Sequence, residues 1–262
     1  MSSDSTPKTL LVALGVCLVC SVLVSTAAIT LKRKQRENQN REKVKNVLEA
    51  AELLDSGRDP MRVYQENVTA RILDVANGRI VPESETIPGI DPERFDITSA
   101  SRDPDLSRPL ASVEDPAGIK RVPRYMVIYV IMDRGEPVQT VFPVYGKGLW
   151  STMYALIALD RDLETVRGFT VYEHGETPGL GGEVDNPGWK GKWKGKSLWG
   201  SDGSVGLRVI KGMVGPDDPD VIHRIDGLSG ATLTARGVDR MIRFWFGDNG
   251  YGPYIRNLRE ER

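Results

Sequence analysis

Residues 9–31 form a run of 23 positions without a charged side chain, bounded by Lys8 on one side and by Lys32, Arg33 and Lys34 on the other. No other feature constrains the fold as strongly. A helix rising about 1.5 Å per residue over that run reaches about 35 Å, enough to cross a hydrocarbon core about 30 Å thick with some tilt. A cleaved leader is the competing reading, because Ser25 and Ala27 make a small-x-small pattern. An h-region is normally shorter, however, and no proline or glycine stands near that site, so the run reads as a retained anchor. Cys17 and Cys20 lie three apart on one helix face, facing lipid or a packing partner. Lys32, Arg33, Lys34, Arg36, Arg41, Lys43 and Lys45 follow the span and only Lys8 precedes it, so the charge rule points the remaining chain at the cytoplasm.

Those two cysteines are the only ones in 262 residues, and His174 and His223 are the only histidines. Beyond the span the chain can therefore hold no disulfide, no thiolate-ligated iron–sulfur cluster and no three-histidine zinc site. Redox chemistry there has to come from an organic cofactor. Residues 1–45 carry eight basic and three acidic side chains, so the chain's net charge of −1 leaves −6 for residues 46–262. A domain of that sign is poorly suited to nucleic acid, and none is expected as a partner.

Val44, Val47, Leu48, Ala51 and Leu54 recur at helical spacing until Gly57 and Pro60, which predicts a short amphipathic helix leading out of the membrane. The chain thus divides into a tail (1–8), a transmembrane helix (9–31), a basic juxtamembrane segment with that helix (32–60) and a soluble domain (61–262). In the domain, Asn77-Gly78 marks a hairpin between 68–75 and 79–81. Strands are expected at 125–132 and 138–145 around Arg134-Gly135, at 153–159 and 166–173, and at 207–210. Residues 82–123, rich in Pro, Asp, Ser and Arg, read as a surface excursion or linker. Short connections imply antiparallel pairing, and the helices lie outside a βαβ rhythm, so the fold class is α+β: an antiparallel sheet with flanking helices. A last helix is expected from about 232 to 246, with Val238, Met241, Ile242, Trp245 and Phe246 on one stripe.

Three segments concentrate residues with chemical use. Asp226-Gly227-Leu228-Ser229-Gly230-Ala231-Thr232-Leu233-Thr234 places small residues and three hydroxyls at the start of the last helix. Such an end offers unpaired N–H groups and a positive dipole to a phosphate. The plainer reading is a helix cap in which Ser229 bonds the first turn. Gly227-Leu228-Ser229-Gly230-Ala231 also resembles a nucleophile elbow, with Ser229 needing His174 or His223 as base, but no good strand precedes it. Glu173-His174-Gly175-Glu176-Thr177-Pro178-Gly179-Leu180-Gly181-Gly182-Glu183 is a glycine-rich loop after a strand, able to let backbone approach a flat ligand. Residues 189–196 interleave tryptophans with lysines, which in an acidic domain reads as a solvated amphipathic helix.

The run from Asp226 to Thr232 resembles a flavinylation motif, and Glu176-Thr177-Pro178-Gly179-Leu180-Gly181 resembles the companion loop of the same FMN-binding domain family. With Gly146-Lys147-Gly148-Leu149-Trp150-Ser151, the tail from Phe244 to Pro253 and the single N-terminal span, the chain is similar to the C subunits of Na⁺-translocating NADH:quinone oxidoreductases. The G subunits of Rnf-type ferredoxin:NAD⁺ complexes share the two FMN motifs and are the nearest alternative. A cofactor-free, membrane-tethered scaffold is the alternative from another class. The resemblance implies an FMN joined by its phosphate to Thr232, with Asp226, Ser229, Gly230 and Ala231 completing the sequence read by a flavin transferase. It implies isoalloxazine contacts from Thr177 and Leu180, with Trp150 and Glu173 as further contacts. Thr234 falls two positions late in the motif. A phosphodiester at the start of the last helix would gain about 0.3–1 kcal/mol from the helix dipole. The flavin would carry the chemistry, which accounts for a domain without a catalytic histidine or cysteine. The resemblance further implies a complex of six subunits, membrane lipid as neighbour, the bacterial inner membrane as location and a periplasmic domain, since the transferase is exported. That side is opposite to the one the charge rule gives.

Overall fold

The structure, a computed structural model, describes residues 6–54, 57–85 and 87–260. Most of the expected N-terminal tail lies outside the described residues, as do the side chains of Arg33 and Arg36 in the basic collar. Two compact units divide the chain, Met1–Val44 and Lys45–Arg262.

The first unit is the greater part of helix α1 (Thr6–Ala50). It is the one helix among the described residues long and apolar enough to cross a membrane, and the apolar window is entirely exposed. Leu10, Leu11, Val12, Leu14, Val16, Leu18 and Val19 stand open on every side of the helix. A helix apolar all round is stable only where something other than water covers it. The Thr30 hydroxyl donates back to the Thr26 carbonyl at 2.9 Å, so this polar group of the apolar run is satisfied within the helix. These features fit a single-pass membrane anchor.

The second unit begins at Lys45, before the boundary at residue 61 expected from the sequence. The reason is packing: Val47, Leu48, Ala50 and Ala51, on the last turns of α1 and just after it, are buried. Helix α2 (Pro60–Asn67), capped by the Asp59 side chain, leads into β1 (Val68–Asp74) and β2 (Arg79–Ile80), which pair antiparallel across the Asn77-Gly78 turn. Next come α3 (Ile97–Arg102), the short pair β3 (Ser107–Pro109) and β4 (Arg121–Pro123), and then the central strands β5 (Tyr125–Asp133), β6 (Glu136–Lys147), β7 (Thr152–Asp160) and β8 (Val166–Glu173). A six-stranded antiparallel sheet results, in the order β2-β1-β5-β6-β7-β8. Arg134 and Gly135, with φ of 51° and 86°, make the tight β5–β6 turn that the sequence marks.

Both faces of the central strands are covered, so β5–β7 bury residues continuously instead of alternating. On one face Met126, Ile128, Phe142, Val144 and Ile157 join the main core with Val238, Met241, Ile242 and Trp245. On the other, Tyr129 meets Tyr64 of α2 edge-on at 6.5 Å. The remaining elements are α4 (Pro187–Lys190), the two-residue strands β9 (Arg208–Val209) and β10 (Arg224–Ile225), α5 (Thr232–Phe246) and α6 (Gly252–Glu260).

Several expectations need correction. The described residues of 82–123 run mostly along the surface, as expected, but are no plain linker: they include α3, β3 and β4, and Ile87, Ile90, Ile97, Ala100, Ala117 and Val122 are buried. Residues 189–196 are no solvated helix. Trp189 and Trp193 are buried against Phe169, with Trp193 stacked on it at 4.0 Å, and the lysines reach acids, Lys190 to Glu49 at 2.5 Å and Lys194 to Glu52 at 2.6 Å. The spacing there is that of a short helix followed by a single 3₁₀ turn, which turns both indoles inward. The strand at 207–210 pairs in parallel with β10, a partner with no sequence signal.

Candidate functional site

Helix α5 begins as expected at Thr232, but Ser229 does not cap it. Gly230 turns the chain with φ of +71°, Ala231 occupies the N-cap position, and no side chain bonds the first turn. Ser229 is exposed two residues upstream of the cap, beyond the position from which a hydroxyl bonds the second or third helical N–H. An uncapped helix start presents its N–H groups to whatever lies in front of it.

Thr232 and Thr234 are two residues apart and so point to different sides of the helix. Thr234 is 1 % exposed, and its hydroxyl donates to Glu176 Oε2 at 2.6 Å. Thr232 is half-buried and lines a cavity of about 360 Å³ with Arg208, Lys211, Arg224 and Arg236. Asp239 also borders the cavity, and it is buried with three partners: Arg208 at 2.8 Å, the Val209 N–H at 3.1 Å and Arg243 at 3.4 Å. The sequence pattern sets Asp239 apart from the buried stripe of α5; these partners draw it inside.

Glu176 organises the other side of the helix start. Its carboxylate is 5 % exposed and accepts from the N–H groups of Leu149 (3.2 Å), Trp150 (2.9 Å) and Ser151 (3.2 Å) besides Thr234. Burial pushes its carboxyl up, but the hydrogen bonds from the Thr234 hydroxyl and from Trp150, Ser151 and Leu149 outweigh that and hold it below the usual carboxylate range. A Cβ at Gly148 would meet this carboxylate at 2.5 Å, and one at Gly181 would meet the Thr234 hydroxyl at 2.6 Å, so both positions need glycine. One acid thus ties the β6–β7 turn, the glycine-rich loop and the first turn of α5 together.

The loop closes on itself as the Thr177 carbonyl accepts from Leu180 N (3.1 Å) and Gly182 N (2.9 Å). Leu180 stands against Gly230, where a Cβ would touch its side chain at 3.0 Å. Leu149, Trp150, Leu180 and Leu233 remain exposed around this junction, an apolar rim fit for a flat ring. Of the residues singled out in the sequence, Trp150, Thr177, Leu180, Gly230, Ala231 and Thr232 therefore belong to segments that converge. Glu173 does not join them: it is exposed at the end of β8, opposite Tyr154, and among the described residues makes no hydrogen bond or ion pair with the loop or the helix. Asp226 is engaged elsewhere, accepting from Lys192 at 2.5 Å and from Val214 N at 2.7 Å. Its desolvation is outweighed by those bonds and the charges of Lys192 and Lys196, which hold its carboxyl low. His174 is engaged at both ring nitrogens, by Asp185 at 2.7 Å and by the Glu176 N–H at 3.1 Å, His223 bonds the Ser197 carbonyl at 3.1 Å, and among the described residues neither bonds Ser229, so the elbow reading gains no support. Glu176 and the cavity's cations were not singled out in the sequence. Its place at the head of the Glu176–Gly181 motif was the available sign of the first; the cations lie in three separate segments and carry no local sign.

A hydroxyl at an uncapped helix start, cations on one side and an apolar rim on the other suit a phosphorylated flat cofactor. The class these features define is an FMN-binding domain, and the model of that family matches residues 148–247. The C subunit of the Na⁺-translocating NADH-quinone reductase from Pseudomonas aeruginosa is 44 % identical, over 99 % of this chain and 98 % of its own length. That of Yersinia pestis is 43 % identical, over 99 % and 95 %. The crystal structure of Shewanella oneidensis NqrC matches with a TM-score of 0.76 at 33 % identity, covering 85 % of this chain and 99 % of that one. The chain belongs to the family of C subunits of the Na⁺-translocating NADH-quinone reductase, and is thus one member of a multi-subunit oxidoreductase.

Proposed function

We propose that this protein carries FMN bound covalently through a phosphoester to Thr232 and relays electrons within the Na⁺-translocating complex. The observation that carries the reading is the contrast between two hydroxyls. Thr234 is buried and committed to Glu176, whereas Thr232 opens on a cation-lined cavity at an uncapped helix start. The flavin supplies the electron-accepting and electron-donating chemistry when bound. The chain's own residues hold and orient it: the helix start takes the phosphate, Thr177, Leu180 and Trp150 offer the ring a rim, and Glu176 fixes that rim in place. Asp226, Ser229, Gly230 and Ala231 serve the flavin transferase as recognition sequence, with Asp226 also pinning the approach to the helix through Lys192. Glu173, exposed at the end of β8, is given no part in the seat.

In this reading the complex has six subunits, oxidises NADH, reduces ubiquinone and exports Na⁺. Helix α1 fixes the protein in the bacterial inner membrane with the domain in the periplasm. An exported transferase favours that side, although the basic collar after the span favours the other.

The test is in-gel flavin fluorescence of the denatured full chain, coexpressed with an exported flavin transferase, beside Thr232→Ala and Thr234→Val. Fluorescence lost in the first variant and kept in the second is the expected result. A dark wild-type band, with the transferase active on a control substrate, would sink the covalent reading.

A further inference from the structure

We propose that the cavity beside Thr232 is an acceptor-side binding site for the diphosphate of a flavin dinucleotide, used while the flavin is installed. The proposal rests on Thr232 being the attachment residue.

The cavity's charge is the first ground. In a domain of net charge −6 its wall carries Arg208, Lys211, Arg224 and Arg236 against Asp239 alone. Two of the four cations are spoken for: Arg208 by Asp239 at 2.8 Å, and Arg224 by Asp218 at 2.7 Å and Asp220 at 2.6 Å. Lys211 and Arg236 are exposed and make no ion pair among the described residues. Arg236 lies one helical turn beyond Thr232, on the same side of α5. Lys211 comes from the segment that follows β9. The acceptor hydroxyl and both uncommitted cations line one space.

Bond chemistry supplies the second ground. Joining a threonine hydroxyl to FMN directly would require hydroxide to leave phosphorus. The donor must therefore carry a better leaving group on phosphorus, and the class proposed is a flavin dinucleotide, whose leaving group is adenosine monophosphate. In the transfer, the Thr232 Oγ–P bond forms and the bridging P–O bond of the diphosphate breaks. The electron pair of the broken bond leaves with adenosine monophosphate, and the hydroxyl proton passes to solvent. The donor's bridge brings one negative charge on each of two phosphates, whereas the finished phosphodiester keeps only one. Two free cations therefore match the donor better than the product. The cavity, at about 360 Å³, also has room for more than one phosphate, given that a water occupies about 30 Å³ in the liquid. Lysine as a compact charge and arginine as a planar fork can hold the bridge and take up charge on the departing phosphate.

The test is a time course of in-gel flavin fluorescence, using the full chain purified without flavin, a purified flavin transferase and flavin adenine dinucleotide below saturation. Wild type is compared with Lys211→Gln/Arg236→Gln, with the conservative Lys211→Arg/Arg236→Lys, and with Arg240→Gln, an exposed arginine of α5 outside the cavity. We expect the neutral double variant to label at least about tenfold more slowly, the charge-conserving pair to be slowed less than the neutral one, and Arg240→Gln to keep a near wild-type rate. Near-ultraviolet circular dichroism checks folding, and each single variant is run as a fallback. Wild-type labelling at Thr232 with an unchanged rate in the neutral double variant would overturn the site alone. So would an equal slowing by Arg240→Gln, which would show general charge steering of the transferase. An unchanged rate with a shifted flavin midpoint potential would assign the cations to the mature cofactor and likewise overturn the proposal. A dark wild-type band would instead remove the covalent reading beneath it.

Discussion

Glu176→Gln keeps the side chain's shape and removes its charge, so it measures what the carboxylate holds together. Oε1 accepts from Trp150 N and Ser151 N, and Oε2 accepts from Leu149 N and the Thr234 hydroxyl. The new amide group has to replace one of the two oxygens. Placed at the Oε2 position it leaves one donor, Leu149 N, without an acceptor, because Thr234 can turn its hydroxyl and accept instead. Placed at Oε1 it would strand two backbone donors, so the first arrangement wins. The loss is one hydrogen bond to a charged group, worth about 1.5–3 kcal/mol, plus weakening of the other three. We expect about 2–3 kcal/mol of destabilisation at pH 7, or about 4–12 °C in Tm for a unit of this size. The pH dependence gives a second check. Glu176's carboxyl lies below its reference value of 4.5 in the folded state. Its contribution is therefore complete above that pH and lost as pH falls through the lower folded value. Thermal unfolding of the full chain in detergent, wild type beside Glu176→Gln from pH 7 to pH 3, should show a gap that closes in acid. Equal stability at pH 7, or a gap unchanged down to pH 3, would refute the role assigned to the carboxylate.

Gly237→Ala should destabilise by about 1–3 kcal/mol, because the added Cβ meets the Lys147 carbonyl at 2.5 Å, even though helix propensity alone favours alanine by about 1 kcal/mol; the sign of the Tm shift decides. Trp193→Ala should cost about 3–5 kcal/mol in chemical denaturation, since the ring is fully buried and stacked on Phe169. Trp193→Phe should cost much less, because the indole N–H has no hydrogen-bond partner among the described residues. A cysteine at exposed position 213, introduced as Met213→Cys in a chain with Cys17→Ser and Cys20→Ser, should react with an impermeant maleimide in intact spheroplasts. Labelling only after lysis would put the domain on the side the basic collar indicates.

What could be read from the sequence was local. The α5 boundaries, the apolar span and the β5–β6 and β7–β8 hairpins each depend on residues close in the chain, and side-chain periodicity and turn chemistry mark them directly. The misjudged segments depend on distant partners. Lysines 190 and 194 look solvated until Glu49, in the last turn of α1, and Glu52, just after it, arrive from more than a hundred residues earlier. Residues 82–123 look like a linker because their buried residues are few and scattered, and their packing partners lie on other elements. Strand β10 is two residues long and pairs with an equally short β9, which leaves no periodicity to detect. The motif pointed to Thr232, but the reason for preferring it to Thr234 required the fold, since that reason is a carboxylate 58 residues away in sequence.

That carboxylate also explains how a loop rich in glycine can serve as a fixed seat. Glycines at 175, 179, 181 and 182 leave the backbone many conformations, and an untethered loop of this kind would lose considerable entropy on meeting a ligand. Here much of that ordering is done before any ligand arrives. Glu176 anchors the loop to the β6–β7 turn and to Thr234, the Thr177 carbonyl closes it on Leu180 and Gly182, and Ser151 Oγ accepts from Gly175 N at 2.6 Å. The same contacts draw Thr234 into the core and leave Thr232 at the surface of its cavity. A single buried acid therefore does two things at once: it stiffens the rim on which a flat ring can rest, and it determines which of two neighbouring hydroxyls stays available.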